Sequence, residues 1–303
     1  MIMKVANISK TFISYNFFNK EVNHVLNNVN FGLQEGDILG LIGPNGSGKT
    51  TLLKIMLDLI KPDSGEILIS NRFEKYFAYV SSNSRSFFWR LSARDNLIFY
   101  GKLLDLSKGE IDQSIEKLSR QFEIEDILDL PFMKLSSGQM QIFNIIRALL
   151  REPDYLFLDE PSTSLDLEKS INILSILKSY ISDRKIPTIW CSHNLDEIDN
   201  LCTRFAIISD KRFKVLDKEE FMRIKNQSNN YYFQISKDDL KKLDKDCEIE
   251  VISDSGRTSI VRLCSQKSTI NELINFFLKK DIELISIENK KNMKGFNFDK
   301  FFK

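Results

Sequence analysis

The feature that most constrains this chain is one short run: Gly43-Pro-Asn-Gly-Ser-Gly48-Lys49-Thr50 satisfies G-x-x-x-x-G-K-[ST] at each fixed position. Directly before it, Asp37-Ile-Leu-Gly-Leu-Ile42 reads as a buried strand. Directly after it, the span from Thr50 to Ile60 places Leu52, Leu53, Ile55, Met56, Leu57, Leu59 and Ile60 in a helix, which Lys61-Pro62-Asp63-Ser64-Gly65 then breaks as a turn. Strand, glycine loop and helix in that order form a phosphate cradle. The glycines let successive N–H groups turn inward, and the helix start adds its positive end. In such a cradle Lys49 reaches the β and γ phosphates of a nucleotide and the Thr50 hydroxyl faces a magnesium ion.

The remaining pattern sets the fold class. Arg94 to Leu104, Lys108 to Phe122 and Gly138 to Leu150 read as helices, whereas Tyr155-Leu-Phe-Leu158 and Pro187-Thr-Ile-Trp-Cys191 are apolar runs too short for helices. Buried strands alternating with helices predict a parallel α/β sheet. Near residue 225 the composition shifts to the polar stretch Lys225-Asn-Gln-Ser-Asn-Asn230. Beyond it come strand-like Tyr231 to Ile235, Glu248 to Ile252, Ser259 to Cys264 and Ile282 to Glu288, with a helix from Thr269 to Lys280. That helix sets Ile270, Leu273, Ile274, Phe277 and Leu278 at core spacing. We therefore expect a domain over 1–224, with a helical subdomain at about 88–150, and a small α+β domain over 225–303.

Two further runs carry chemistry. Tyr155-Leu-Phe-Leu-Asp159-Glu160 ends a strand in two carboxylates, at the end of an α/β sheet where ligands bind. Asp159 suits a metal and Glu160 suits a base that orients water. Leu135-Ser-Ser-Gly-Gln139 precedes a helix that either Ser136 or Ser137 can cap, leaving backbone N–H groups for a second anion site.

With this stretch 23 residues before Asp159, the chain resembles the ATP-binding cassette (ABC) ATPases over roughly residues 4–220. The resemblance implies a P-loop NTPase fold with a RecA-like core, an antiparallel β edge and a helical subdomain, with ATP and Mg²⁺ as its ligands. It implies that Gly43, Pro44, Asn45, Gly46, Ser47, Gly48, Lys49, Thr50 and Thr51 form the phosphate loop. Asp159 and Glu160 look like the metal carboxylate and catalytic glutamate, and Ser164-Leu165-Asp166 looks like the D-loop. Ser136, Gly138 and Gln139 look like the signature that covers the nucleotide of a second subunit. His193, 33 residues beyond Glu160, looks like the switch histidine. Phe12, in Ser9-Lys-Thr-Phe12, resembles the aromatic that stacks on adenine, with Tyr15, Phe17 and Phe18 competing for that place. His24 has no such context and no role. The family places a glutamine after a strand such as Phe77-Ala-Tyr-Val80; here Ser81-Ser82-Asn83 stands there, so Ser82 or Asn83 takes that place, with Ser82 as a metal-side residue.

The stretch from Ser84 to Leu91 is similar to the branch of cassettes that power separate exporter permeases. Phe87, Phe88 and Trp89 within it suit either a local core or a socket for a membrane subunit. The implied partners are a second cassette and a polytopic permease, at the inner face of the cell membrane. Lys and Arg number 43 against 42 Asp and Glu, so the charge balance offers no footprint for nucleic acid. The cysteines Cys191, Cys202, Cys247 and Cys264 contain no C-x-x-C and read as reduced core thiols rather than a zinc site or disulfides. Two rival readings are a soluble mechanochemical cassette and a monomeric P-loop switch. The first would normally need two cassettes in one chain or a long coiled coil. This sequence has one P-loop and no sustained heptads.

Overall fold

The computed structural model describes residues 2–16, 19–70, 74–81, 86–226, 231–243, 249–255, 258–263, 270–289 and 298–302. They form two compact units. One comprises Met1–His193 and Glu197–Lys218 with Phe302, the other Asn194–Asp196 and Glu219–Phe301.

Two sheets build the first unit. Strands β1 (Met3–Asn16), β2 (Asn19–Leu33) and β4 (Ser64–Ile69) form an antiparallel sheet in the order β2-β1-β4. The second sheet runs β5 (Phe77–Val80), β6 (Tyr155–Asp159), β7 (Thr188–Cys191), β3 (Ile38–Ile42), β8 (Arg204–Ser209) and β9 (Arg212–Leu216). Its first five strands are parallel and β9 closes the edge antiparallel to β8. β3 is buried along its whole length, as its unbroken apolar run requires of a strand covered on both faces. Helix α1 (Lys49–Met56) fills one face: Leu52, Leu53, Ile55 and Met56 pack with Leu39, Leu41, Phe157, Ile189 and Ile208, together with Val5, Ile8 and Leu33 of the antiparallel sheet. On the other face a Cβ at Gly40 would come within 2.8 Å of Ile198 and 3.0 Å of Cys202, so glycine is what admits α6 (Leu195–Leu201).

α1 stops four residues short of the expected Ile60 because Asp58 turns left-handed at φ 63° and Leu59 is two-thirds exposed. The helical segment comprises α2 (Ala93–Leu103), α3 (Lys108–Gln121) and α4 (Ser137–Leu149), packed on one another. Each has a serine at its N-cap, and capping boxes Ser107/Glu110 and Ser136/Gln139 start α3 and α4. Helices α5 (Leu167–Asp183) and α7 (Lys218–Asn226) complete the run of elements to residue 226.

In the second unit, β10 (Tyr231–Ser236), β11 (Ile249–Ser255), β12 (Thr258–Leu263) and β13 (Leu284–Asn289) form an antiparallel sheet in the order β11-β12-β10-β13. α8 (Lys237–Leu240) follows β10 and α9 (Ile270–Lys279) precedes β13. Its small core gathers Phe233, Ile235, Val261, Phe277 and Ile282, with the Phe233 and Phe277 rings 4.6 Å apart. Leu278, expected in this core, is instead 64% exposed, because Phe277 already takes the inward position of that turn. The short 3₁₀ turn Phe298–Phe301 buries Phe301 against Phe221 of α7. Among the described residues no helix is long and apolar enough to cross a membrane.

Candidate nucleotide site

The phosphate loop leaves the C-terminal end of β3 and enters α1 with no side-chain cap; Gly46 and Gly48 take left-handed φ of 80° and 106°. A side chain at Gly43 would strike the Ile208 carbonyl at 2.1 Å, so the loop demands glycine there too. The Ser47 hydroxyl is buried with no hydrogen-bond partner among the described residues, an orphaned group inside the cradle. Lys49 is buried, and its Nζ donates to the carbonyls of Gly43 at 2.7 Å and Pro44 at 3.2 Å. The ammonium therefore sits within the loop that the sequence assigns to phosphate. Asn45 and Gly46 form its turn, closed by the Ser47 N–H donating to the Pro44 carbonyl at 3.2 Å, and Thr51 continues the first turn of α1.

At the end of β6, Asp159 Oδ2 accepts from Thr50 Oγ1 at 2.8 Å and from Tyr79 OH at 3.1 Å. A hydroxyl and a carboxylate brought together offer the hard oxygens that Mg²⁺ takes. Burial, with the Asp159 charge beside it, pushes the Tyr79 phenol well up, so it stays a donor. Glu160 is held at φ 56°, strained for a residue with a side chain, and its N–H donates to the Cys191 carbonyl at 2.9 Å. Its carboxylate meets His193, with Oε2 2.6 Å from Nδ1. The strain turns the carboxylate toward the end of β7 and the histidine that follows it.

The signature stretch builds a different surface. Ser136, rather than Ser137, caps α4. A cavity of about 490 Å³ is lined by Ser136 to Gln139 and Ser164 to Asp166, among others, and by none of Lys49, Thr50, Asp159 or Glu160. Gly138 lies so close to the D-loop that a Cβ would stand 3.3 Å from the Ser164 carbonyl. The structure thus gathers Lys49, Thr50, Asp159, Glu160 and His193 around the ends of β3, β6 and β7, and Ser136, Gly138, Gln139 and Asp166 around a second opening. Phe12 stands on β1 opposite Asn23, 40% exposed, with the Lys10 ammonium 5.5 Å from its ring. Ser82 and Asn83 lie outside the described residues.

Three contributors escaped the sequence reading. Tyr79 is one. Gln141 donates to the Pro161 carbonyl at 3.1 Å and ties α4 to the loop after Glu160. Glu197 is buried and accepts from Ser162 Oγ at 2.6 Å and Trp190 Nε1 at 2.7 Å; burial pushes its carboxyl up. The only forward signal was its place four residues after His193. α4 also reaches Ser81 and Ser86: Asn144 donates to the Ser81 carbonyl, and Arg147 to the Ser86 hydroxyl while stacking on Phe87 and Tyr100, each 4.8 Å from its ring centre. The aromatic triplet divides. Phe87 is buried and stacked on Phe132 at 4.2 Å, whereas Phe88 and Trp89 are nearly half exposed. Cys191 and Cys202 are buried, and burial pushes both thiols well up, so they are inert fillers.

The chain is similar to known proteins in sequence and in fold. Residues 26–163 match the family described as ABC transporter. The bacitracin transport ATP-binding protein BcrA of Bacillus licheniformis is 29% identical over 298 residues, 94% of this chain and 92% of that protein. The ABC transporter ATP-binding protein NatA of Bacillus subtilis (strain 168) is 28% identical over 197 residues, 62% of this chain and 80% of its own. In fold, the ATP-binding cassette MJ0796, solved as a dimer in a post-hydrolysis state with ADP and Pi, aligns with a TM-score of 0.62 at 24% identity, covering 71% of this chain and 98% of that one. CbiO1 of Clostridium perfringens, part of a CbiONQ transporter complex, aligns with a TM-score of 0.63 at 24% identity over 73% of this chain and 90% of that one. With a glycine-rich loop, paired carboxylates and a serine-capped helix on a P-loop NTPase sheet, the chain carries an ABC transporter ATP-binding domain over residues 26–163 and is an ATPase, the nucleotide-binding subunit of a transporter.

Proposed function

We propose that two cassettes pair head to tail, hydrolyse ATP between them and drive a separate membrane permease in the direction of export. The observation that carries this reading is the separation of the two openings: the cavity beside Ser136 to Gln139 shares no residue with the Lys49, Thr50 and Asp159 site. A P-loop alone leaves one side of the γ phosphate open to water, and only a second copy's signature surface is left to close it. In the closed site Lys49 exchanges its carbonyl partners for phosphate oxygens, and Glu160 orients and deprotonates the attacking water. His193, now on the Glu160 carboxylate, holds that side chain until phosphate arrives and then supports the γ phosphate. The N–H groups of Ser136, Gly138 and Gln139 and the Asp166 loop complete the cover from the partner. Thr50 and Asp159 would hold Mg²⁺ bound with the nucleotide, which would supply charge neutralisation on the phosphates. The residues themselves contribute mostly position and charge.

Phe88 and Trp89, exposed on the helical subdomain, are the proposed permease contact. Export is supported by the similarity of the Ser84 to Leu91 stretch to cassettes of the exporter branch, and a role in transport by the likeness to the bacitracin transport protein, which covers 94% of this chain. The working location would be the inner face of the cell membrane. Affinity purification from detergent-solubilised membranes tests this: a polytopic membrane protein should accompany the wild type and be lost with Phe88→Ser/Trp89→Ser. A tagged protein that stays folded, binds ATP and brings down no membrane partner would contradict the transport role.

A further inference from the structure

We propose that Tyr79 is a positioning residue for the cation-facing carboxylate: its phenol, delivered from the neighbouring strand, orients Asp159 for the metal–nucleotide complex. The inference rests on the reading of Asp159 as a metal carboxylate and adds a residue to that site. β5 and β6 run parallel with Tyr79 beside Phe157, so Tyr79, Phe157 and Asp159 project from the same face of the sheet. On that face Phe77 stacks on Tyr155 at 5.0 Å and Phe157 at 6.2 Å, and Tyr79 packs against the same core. The ring is thus held by its neighbours while its hydroxyl reaches along the strand to Oδ2, 3.1 Å away. Thr50 reaches the same oxygen from α1 at 2.8 Å. Two donors from separate elements on one oxygen restrain rotation of the carboxylate far better than either alone. The role is to hold the carboxylate, not to bind the cation. Partners of this kind around a ligating carboxylate typically change metal affinity by about 10- to 100-fold when removed.

Tyr79→Phe deletes one oxygen and keeps the ring. The experiment titrates Mn²⁺ into the full-length protein with saturating ADP, read by the EPR signal of free Mn²⁺, beside ADP binding measured in EDTA. Tyr79→Phe should weaken Mn²⁺ binding about tenfold and leave cation-free ADP binding within twofold of wild type. Phe77→Leu, which disturbs the same aromatic packing without touching the carboxylate, should leave Mn²⁺ binding unchanged; an equal loss there would make the effect one of packing and overturn the proposal. Asp159→Asn separates the two levels. If it weakens Mn²⁺ binding while Tyr79→Phe matches wild type, the role of Tyr79 is refuted and the site stands. If Asp159→Asn leaves Mn²⁺ binding intact, the carboxylate does not face the cation and both readings fall.

Discussion

In the first unit β3, β6 and β7 each end on residues that bear chemistry: the Gly43 loop, the Asp159-Glu160 pair and the turn to His193. In the second unit β10 ends by capping a four-residue helix through Ser236, and the core beside its sheet gathers the apolar Phe233, Ile235, Val261, Phe277 and Ile282. The topologies explain the contrast. A parallel sheet points several strand ends the same way, so their loops converge on one ligand; an antiparallel sheet sends alternate ends apart. Glu160 at φ 56° and Ser164 at φ 81° both stand left-handed at the ends of the loop between them. We propose that the first unit carries the reaction and that the second modulates the cassette dimer without catalysing anything.

The largest effect expected from this contrast is at Glu160. Glu160→Gln keeps the shape and removes the base, so ATP binding should survive while turnover falls by about 10² or more. Size-exclusion chromatography with ATP should then show an accumulating dimer. Unchanged turnover would mean that the strained glutamate is not the base.

Next in size is the core of the second unit. Phe277→Ala should remove about 3–5 kcal/mol from a core this small. Hydrogen exchange should show the strands β10 to β13 opening while β3, β6 and β7 keep their protection. Loss of protection throughout would show that the units unfold as one. Truncation after Lys225 should change nucleotide affinity by less than about twofold, since the second unit contributes none of the phosphate, carboxylate or signature residues. A folded truncated protein that no longer binds nucleotide would break the comparison outright.

The smallest effect concerns Glu197. Its carboxyl is raised by burial, so its folded value lies above its unfolded one. The associated stability is present below the ordinary carboxylate range and is lost as pH rises through the raised value. Glu197→Gln should flatten that limb in thermal melts taken across pH, because the amide does not ionise. An unaltered pH profile would show that another group sets it.

How much of this was legible depends on how local each requirement is. The phosphate loop could be read outright because Gly43 leaves no room for a Cβ and Gly46 and Gly48 take the left-handed φ that glycine adopts most readily, and the capped start of α4 because Ser136 and Gln139 satisfy each other within one turn. The two-domain division near residue 225 came from composition alone, whereas the structural units part near Lys218, before α7. Phe87, Phe88 and Trp89 could not be sorted in advance, since three consecutive aromatics carry no period; Phe132 decides which one turns inward. Tyr79 and Glu197 were hidden for another reason. The partner of Tyr79 lies 80 residues away on another strand, and those of Glu197 lie 35 and 7 residues away, and no spacing rule announces such bonds.

The central claim is that one ATP site is shared between two copies, and complementation between two dead variants tests it most directly. Lys49→Ala removes phosphate binding from its own subunit, and Ser136→Arg blocks closure over the partner's nucleotide. Each homodimer should be inactive. In mixed dimers, with differently tagged subunits purified in sequence, one site pairs an intact Lys49 with an intact Ser136 while the other carries both lesions. The account predicts that ATPase activity returns in the mixture, up to what a single working site sustains. If verified heterodimers stay as inactive as either parent, the shared site is contradicted.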